Sequence, residues 1–369
     1  MAVIESPETV GLRPIHDFDE AWKVWPRGDR LDALRAAALE FKQRFRAGGQ
    51  VTGVRTYELA AAPYPAKFAF GGAAVSVNPY ITLRNRMIVV QYEDFDGNLK
   101  TLVWEPTIPQ GSAEAPFYAQ MNEFMGGLAE RVFAKYENTI DEALATCGLT
   151  LAEVDYASFD HLHVQDARMV LGTTEAVDDG RHGPYPPLFP NGKLISQRLE
   201  ADTLKSIHPM QWAWYVQGGL DSVIEENHLL IDGDVELGEG VAIIRTPGHT
   251  DGNQSLVLNT PEGIWVSSEN GVCADNWQPE NSKIPGMRRR ARFFGREVIL
   301  NANTLEDSID QYDSMVLEKT IADTNRRDPR WLNVFPSSEC ATHRRQWPAI
   351  PTFTHEELRY GEIRRNGSA

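Results

Sequence analysis

The chain has 369 residues, is 42% hydrophobic and 24% charged, and carries a formal net charge of −16. These are the values of a globular enzyme with one large domain or two. The acidic balance argues against nucleic acid and anionic membrane as partners, because both need a basic face. No run approaches the roughly 18 apolar residues of a spanning helix, and Met1–Pro7 has no basic segment leading into an apolar one. A cytoplasmic protein is therefore expected. Cys147, Cys273 and Cys340 are far apart and odd in number, so no disulfide framework is expected.

In chain order, residues 1–74 read as a helical extension whose one strong helix is Asp29–Arg46. Leu31, Leu34, Ala38, Leu39 and Phe41 form its apolar face, and Gly48-Gly49 stops it. Two roles are open for this extension: a cover over the main domain, or a contact between copies in a homo-oligomer. Residues 75–345 read as the main domain and 346–369 as a C-terminal tail. Strands are expected at 74–77, 81–83 and 87–92, with a hairpin turn at Asp96-Gly97-Asn98 returning through 102–104. A helical pattern follows from Ala115 to Thr146, with a break near Gly126-Gly127, and then an apolar run over 154–159. Residues 172–193 form a Gly/Pro-rich loop suited to a substrate-facing wall. A helical stretch with Trp212, Trp214 and Tyr215 comes next, then strands at 229–231, 241–244, 255–258 and 264–266. Residues 305–325 read as a helix and 326–369 as polar and irregular.

Three histidines carry the chemistry. His161 and His163 stand one residue apart at the end of the 154–159 run, and side chains at i and i+2 of a strand share a face. His249 lies in Thr246-Pro247-Gly248-His249-Thr250, just after another buried run. Three neutral imidazoles with one open position are a common catalytic zinc arrangement.

The segment Val154–Asp166, with Asp160-His161-Leu162-His163-Val164-Gln165-Asp166, resembles the metal-binding strand and loop of the metallo-β-lactamase superfamily. Val241–Gly252, with its Thr-Pro-Gly-His-Thr, is similar to a second motif of that family, nearest to the lactonase and glyoxalase-II-like branches. A weaker match is Ile264–Asn270. The resemblance spans roughly residues 75 to 340. It implies an α/β (α+β) fold: a four-layer αββα sandwich of two mixed sheets with the metal site along one edge. It also implies that His161, His163 and His249 are ligands of the family's first metal site. The second site departs from the pattern, with Gln165, Asp166 and Glu269 where the family has Asp, His and Asp, and Pro336-Ser337-Ser338 near its last histidine. A glutamine carbonyl is a poor zinc ligand. One Zn²⁺ held by the three histidines and Glu269 is the reading this favours. A site rebuilt from Asp166, Glu269, Glu339 and His343 would suit Mn²⁺ or Fe²⁺ better.

The expectation is a metal-dependent hydrolase acting through zinc-activated water on a small, largely apolar or aromatic substrate: a lactone, ester or activated aryl compound. Asp166 or Glu269 would move the proton. Asn253, Tyr185 and Trp212 are candidates for holding substrate, against a turn role for Asn253 and a packing role for Trp212. Asp160 either orients an imidazole or caps a turn. Arg288-Arg289-Arg290-Ala291-Arg292 is either a solvated face or a rim steering anions toward the metal. The competing readings are a mononuclear iron dioxygenase using His161, His249 and Glu269, and a non-catalytic binding protein.

Overall fold

The computed structural model describes residues 10–125, 135–136, 138–178, 180, 182–303 and 308–365. Apolar runs with little alternation, such as Val241-Ala242-Ile243-Ile244, mark strands buried on both faces, and that is how they are used. Fifteen strands are described: β1 Arg13–Ile15, β2 Gly53–Pro65, β3 Tyr80–Glu93, β4 Leu99–Trp104, β5 Lys135–Tyr136, β6 Tyr156–Ser158, β7 Lys193–Gln197, β8 His228–Ile231, β9 Asp234–Gly238, β10 Val241–Arg245, β11 Gln254–Thr260, β12 Gly263–Ser268, β13 Val334–Pro336, β14 Ser338–Cys340 and β15 Arg359–Gly361. One sheet runs β1-β9-β10-β11-β12-β13. The other follows β15-β2-β3-β4-β6-β7-β8, with β14 on β3 and β5 on β2. Both are mixed: β12–β13 is parallel in the first, and β4–β6–β7–β8 are parallel in the second.

The alternation within each strand sorts its residues into layers. Ile88, Val90 and Tyr92 of β3 meet Val241 and Ile243 of β10 in the core between the sheets. Ala242 and Ile244 face outward onto Leu34, Ala38, Phe41 and Phe45 of helix Arg27–Ala47 and onto helix Ser308–Ile321. Met87 and Val89 face outward the other way, onto Ala143, Leu144, Val170 and Leu204 of three short helices. Each large apolar side chain buried in this way contributes roughly 1.5–3 kcal/mol. The result is the αββα sandwich that the family resemblance implied.

Several local expectations are corrected. Residues 1–74 are not only helical, because β1 pairs with β9 and β2 pairs with β3 from Gly53↔Gln91 to Pro65↔Tyr80. The helix itself is as expected, and Arg30 Nε donates to Asp313 Oδ2 at 2.8 Å, fixing it to helix Ser308–Ile321. The tail beyond 345 supplies β15, which pairs with β2, so the sheets cross both expected domain boundaries. Residues 74–77 form a loop, not a strand, with Val75 and Val77 exposed. The 115–146 pattern resolves into helices Pro116–Met125 and Ile140–Thr146, and residues 126–134 lie outside the described residues. Trp212 and Trp214 lie in a turn after helix Arg198–Lys205, and Tyr215 forms an antiparallel bridge with His163, so none is in a helix. Among the described residues no helix is long and apolar enough to cross a membrane.

Candidate metal centre

The site lies beyond the carboxyl ends of parallel strands β4 and β6, where α/β sheets place ligands. His161 and His163 follow β6, and the backbone turns immediately after them: Val164 has φ 54, and its N–H donates to Trp214 O at 2.7 Å. His249 follows β10. Gly248, with φ +118, takes a conformation that a side chain would disfavour, and its N–H donates to Thr250 O at 2.9 Å. One ligand atom from each of the three imidazoles lies within 4.8 Å of the others, and all three side chains are buried. The ring centroids are 4.6, 4.7 and 5.3 Å apart.

Hydrogen bonds orient two of the rings. His161 Nδ1–H donates to Asp160, and His249 Nδ1–H donates to Asn301 O at 3.3 Å. Each bond selects a tautomer with Nε2 as the basic nitrogen. Asp160 therefore does orient an imidazole. His163 differs from the other two: neither of its buried ring nitrogens has a hydrogen-bond partner, an arrangement that costs free energy unless something polar is bound. Burial, and then neighbouring His161 and His249, push the His163 pKa well below the usual value. Burial also pushes His249 down to about 3. For His161 burial acts in the same direction, but the charge and hydrogen bond of Asp160 outweigh it and the net shift is upward. Mutually close, buried imidazoles, with His163 and His249 held neutral, are a donor set that fits a divalent metal such as zinc.

Three carboxyl groups surround the rings. Asp160 N–H donates to Glu105 Oε1 at 2.6 Å. Glu105 sits at φ 59, a strained backbone for a non-glycine residue. Burial, followed by the charge of Asp160, raises its pKa well above the usual carboxylate range. Glu269 follows β12, lines the same cavity and accepts Ser338 N–H at 2.9 Å. Burial and then Asp160 push its pKa well up too. Glu200 lies behind the rings and accepts from Leu162 N–H, Tyr215 Oη and Thr250 Oγ1.

A cavity of about 160 Å³ opens onto the three histidines. Its apolar wall includes Ala61, Pro63, Leu83, Pro109, Met121 and Trp214; its polar lining includes Glu105, Asp160 and Glu269, and among the described residues no lysine or arginine lines it.

The other expected site residues are placed elsewhere. Asp166 does not line the cavity. Both its oxygens are held by Arg168, Nε to Oδ1 and Nη2 to Oδ2, each at 2.8 Å. Asn253 spends its amide on Thr246 O and Oγ1 at 2.8 and 2.9 Å, within the turn. Tyr185 stacks on His182, away from the cavity. Trp212 is 44% exposed, whereas Trp214, 5% exposed, lines the cavity in its place. Among the described residues Glu269 is not in the group of converging ligand atoms. The rebuilt second site does not assemble: Glu339 pairs with Arg86 at 2.7 Å, and His343 caps Arg345 N–H at 3.2 Å. Gln165 lines the cavity, but its Nε2 is held by Thr107 Oγ1 at 2.9 Å. Arg288, Arg289 and Arg292 line a different pocket that shares no residue with this one.

Sequence reasoning missed Glu105 and Glu200. Glu105 carried a signal, as an acid directly after the apolar run Leu102-Val103-Trp104. Glu200 carried none.

The fold and site together define the class: an αββα sandwich with three buried histidines converging at one edge, a group that could hold a metal ion. No family model matches the chain, and no curated protein does. Solved structures do. An N-acyl homoserine lactone hydrolase, solved with N-hexanoyl-L-homoserine at its catalytic metal centre, is 18% identical with a TM-score of 0.44, over 67% of this chain and 90% of that one. AidC, a dizinc quorum-quenching lactonase, is 12% identical with a TM-score of 0.47, over 86% and 99%. A probable metal-dependent hydrolase from Staphylococcus aureus is 14% identical with a TM-score of 0.44, over 66% and 84%. At this level the likeness assigns no residue role and no substrate to this chain.

Proposed function

We propose that the protein is a metal-dependent hydrolase of a small, neutral, largely apolar substrate, with His161, His163 and His249 holding one Zn²⁺. The observation that carries this reading is the convergence of three buried imidazoles, one with both nitrogens unsatisfied, at the floor of an apolar cavity. A zinc ion bound there would supply a Lewis acid that polarises a carbonyl and acidifies water. Asp160 fixes the His161 ring. Glu269, held by Ser338 at the same cavity, would act as a carboxylate to take a proton from water and return it to the leaving group, and its raised pKa favours the return step. Trp214, Met121 and the Ala60–Pro63 segment shed water and position an apolar acyl or aryl group. Among the described lining residues none is cationic, which favours an uncharged substrate over an anionic one. The iron dioxygenase alternative requires His163 to stand outside the metal set, and its orphaned nitrogens within that set speak against it.

The test is metal quantitation on protein purified without chelators, with a hydrolysis screen over lactones, aryl esters and halogenated aromatics. About one equivalent of zinc, and loss of both metal and activity in His163→Ala, are expected. Iron with O₂ consumption, or undiminished turnover in His163→Ala, would overturn the assignment.

A further inference from the structure

A second pocket, open to solvent, lies at the start of helix Met287–Phe294. It is lined by Ser282, Lys283, Gly286, Arg288, Arg289 and Arg292, with Ile284 and Pro285 at its base. Four cationic residues thus line one pocket, and among the described residues no acidic one does, in a chain whose net charge is −16. Among the described residues none of the four has an ion pair. Arg288 Nη2 donates to Ser282 O at 3.2 Å, and the other three side chains make no hydrogen bond. The charge pattern also opposes the helix. Its first turn has no acidic residue and no side-chain cap, yet it carries two arginines beside the positive end of the helix dipole, where cations are unfavourable. The frame is rigid, because Ile284, Met287 and Ala291 are buried in one apolar cluster with Cys273 and Trp214.

Cationic side chains without ion pairs, lining one pocket at a helix start that has no side-chain cap, match a ligand with several negative oxygens. Such a ligand would relieve both the mutual repulsion of the cations and the dipole mismatch. We propose that this pocket binds a phosphate group, free or as the phosphoryl end of a small molecule. Arg289 and Arg292 make forked contacts to its oxygens, and Lys283 adds a point charge. No residue is shared with the three-histidine cavity, so the proposal stands or falls separately from the hydrolase reading.

Equilibrium dialysis of the full-length protein with radiolabelled inorganic phosphate tests it at low ionic strength. One phosphate per chain is expected, with affinity falling as salt rises. Arg289→Gln/Arg292→Gln should weaken binding by about tenfold for each guanidinium removed. Both side chains are exposed, so the fold should persist, as circular dichroism can verify. Arg330→Gln, remote in sequence and paired with Asp328, should bind as the parent does. No uptake at millimolar phosphate, equal uptake by the double variant, or equal loss in Arg330→Gln would each overturn the proposal. Acetate competing as well as unlabelled phosphate would refute the phosphate assignment.

Discussion

Glu200 Oε2 accepts the Thr250 hydroxyl at 2.6 Å, one residue beyond His249. Its other oxygen takes Leu162 N–H at 2.8 Å, between His161 and His163, and Tyr215 Oη at 2.7 Å. The Tyr215 ring in turn lies 4.6 Å from His163. One buried carboxylate therefore ties together the two loops that carry the imidazoles. It touches none of the rings, so it is a positioning residue.

Glu200→Ala is expected to weaken zinc binding by about 10–100-fold, the usual consequence of removing a group that orients metal ligands. It should also cost about 1–3 kcal/mol for each buried donor left unsatisfied. Glu200→Gln, which keeps an acceptor oxygen, should recover part of both losses. Chelator competition on the folded variants reads the affinity directly. An alanine variant that folds and holds zinc as tightly as the parent would show that the clamp does not set the site.

The sequence revealed the three histidines that converge and many of the core strands, but not what surrounds them. His161, His163 and His249 were legible because two short motifs follow apolar runs, and local backbone geometry is enough to aim them. Asp166 misled because proximity in sequence suggested proximity in space, whereas the left-handed turn at Val164 changes the chain's direction and Arg168 captures the carboxylate. Trp212 was named as a substrate contact, yet the helix expected around it does not form, and Trp214 lines the cavity while Trp212 is exposed. The strand β2 was hidden by Ala60-Ala61-Ala62 and by Pro63 and Pro65, residues that argue against a strand when read locally. Its pairing with β3 is a tertiary fact. Glu105 and Glu200 act through partners 38 to 55 residues away in sequence, which no local pattern encodes.

Behind the site, Glu318 Oε1 accepts from Ser255 Oγ, Ser268 Oγ and Asn270 Nδ2, and Oε2 accepts from Trp277 Nε1. Burial outweighs these four donors and pushes its pKa up to about 7. A carboxyl group raised on folding favours the native state in its protonated form. Its contribution is therefore complete below the unfolded value, near 4.5, and is lost as pH rises through about 7. The loss amounts to roughly 3 kcal/mol. Urea midpoints of the wild type and Glu318→Gln should diverge between pH 5 and pH 8, with the wild type losing more on the alkaline side. Parallel curves would show that Glu318 titrates in the folded chain as it does unfolded.

Deleting residues 1–74 tests whether they are an appendage or part of the sandwich. The cut removes β1 and β2, opens the β2-facing edge of β3 from Tyr80 to Gln91, and exposes the outer face of β10 that covers Phe41 and Phe45. An exposed apolar edge of that length promotes aggregation. The truncated chain should give insoluble protein, or a soluble product without a cooperative thermal transition. A truncated protein that melts cooperatively and binds zinc would make the segment dispensable.

Trp214 and Trp212 offer a paired test of which aromatic residue meets substrate. Trp214 stacks on Phe117 with ring centroids 4.5 Å apart, stands 6.4 Å from His163 and closes one wall of the cavity. Trp212, two residues earlier, faces solvent. Trp214→Phe keeps an aromatic ring but withdraws apolar surface from the wall. It should raise KM for an apolar substrate several-fold while kcat stays within about twofold, the signature of lost uniform binding. Trp212→Ala should change neither constant. If Trp212→Ala instead raised KM and Trp214→Phe left it untouched, the substrate would enter by a different face, and the apolar chamber beside the three histidines would not be its binding site.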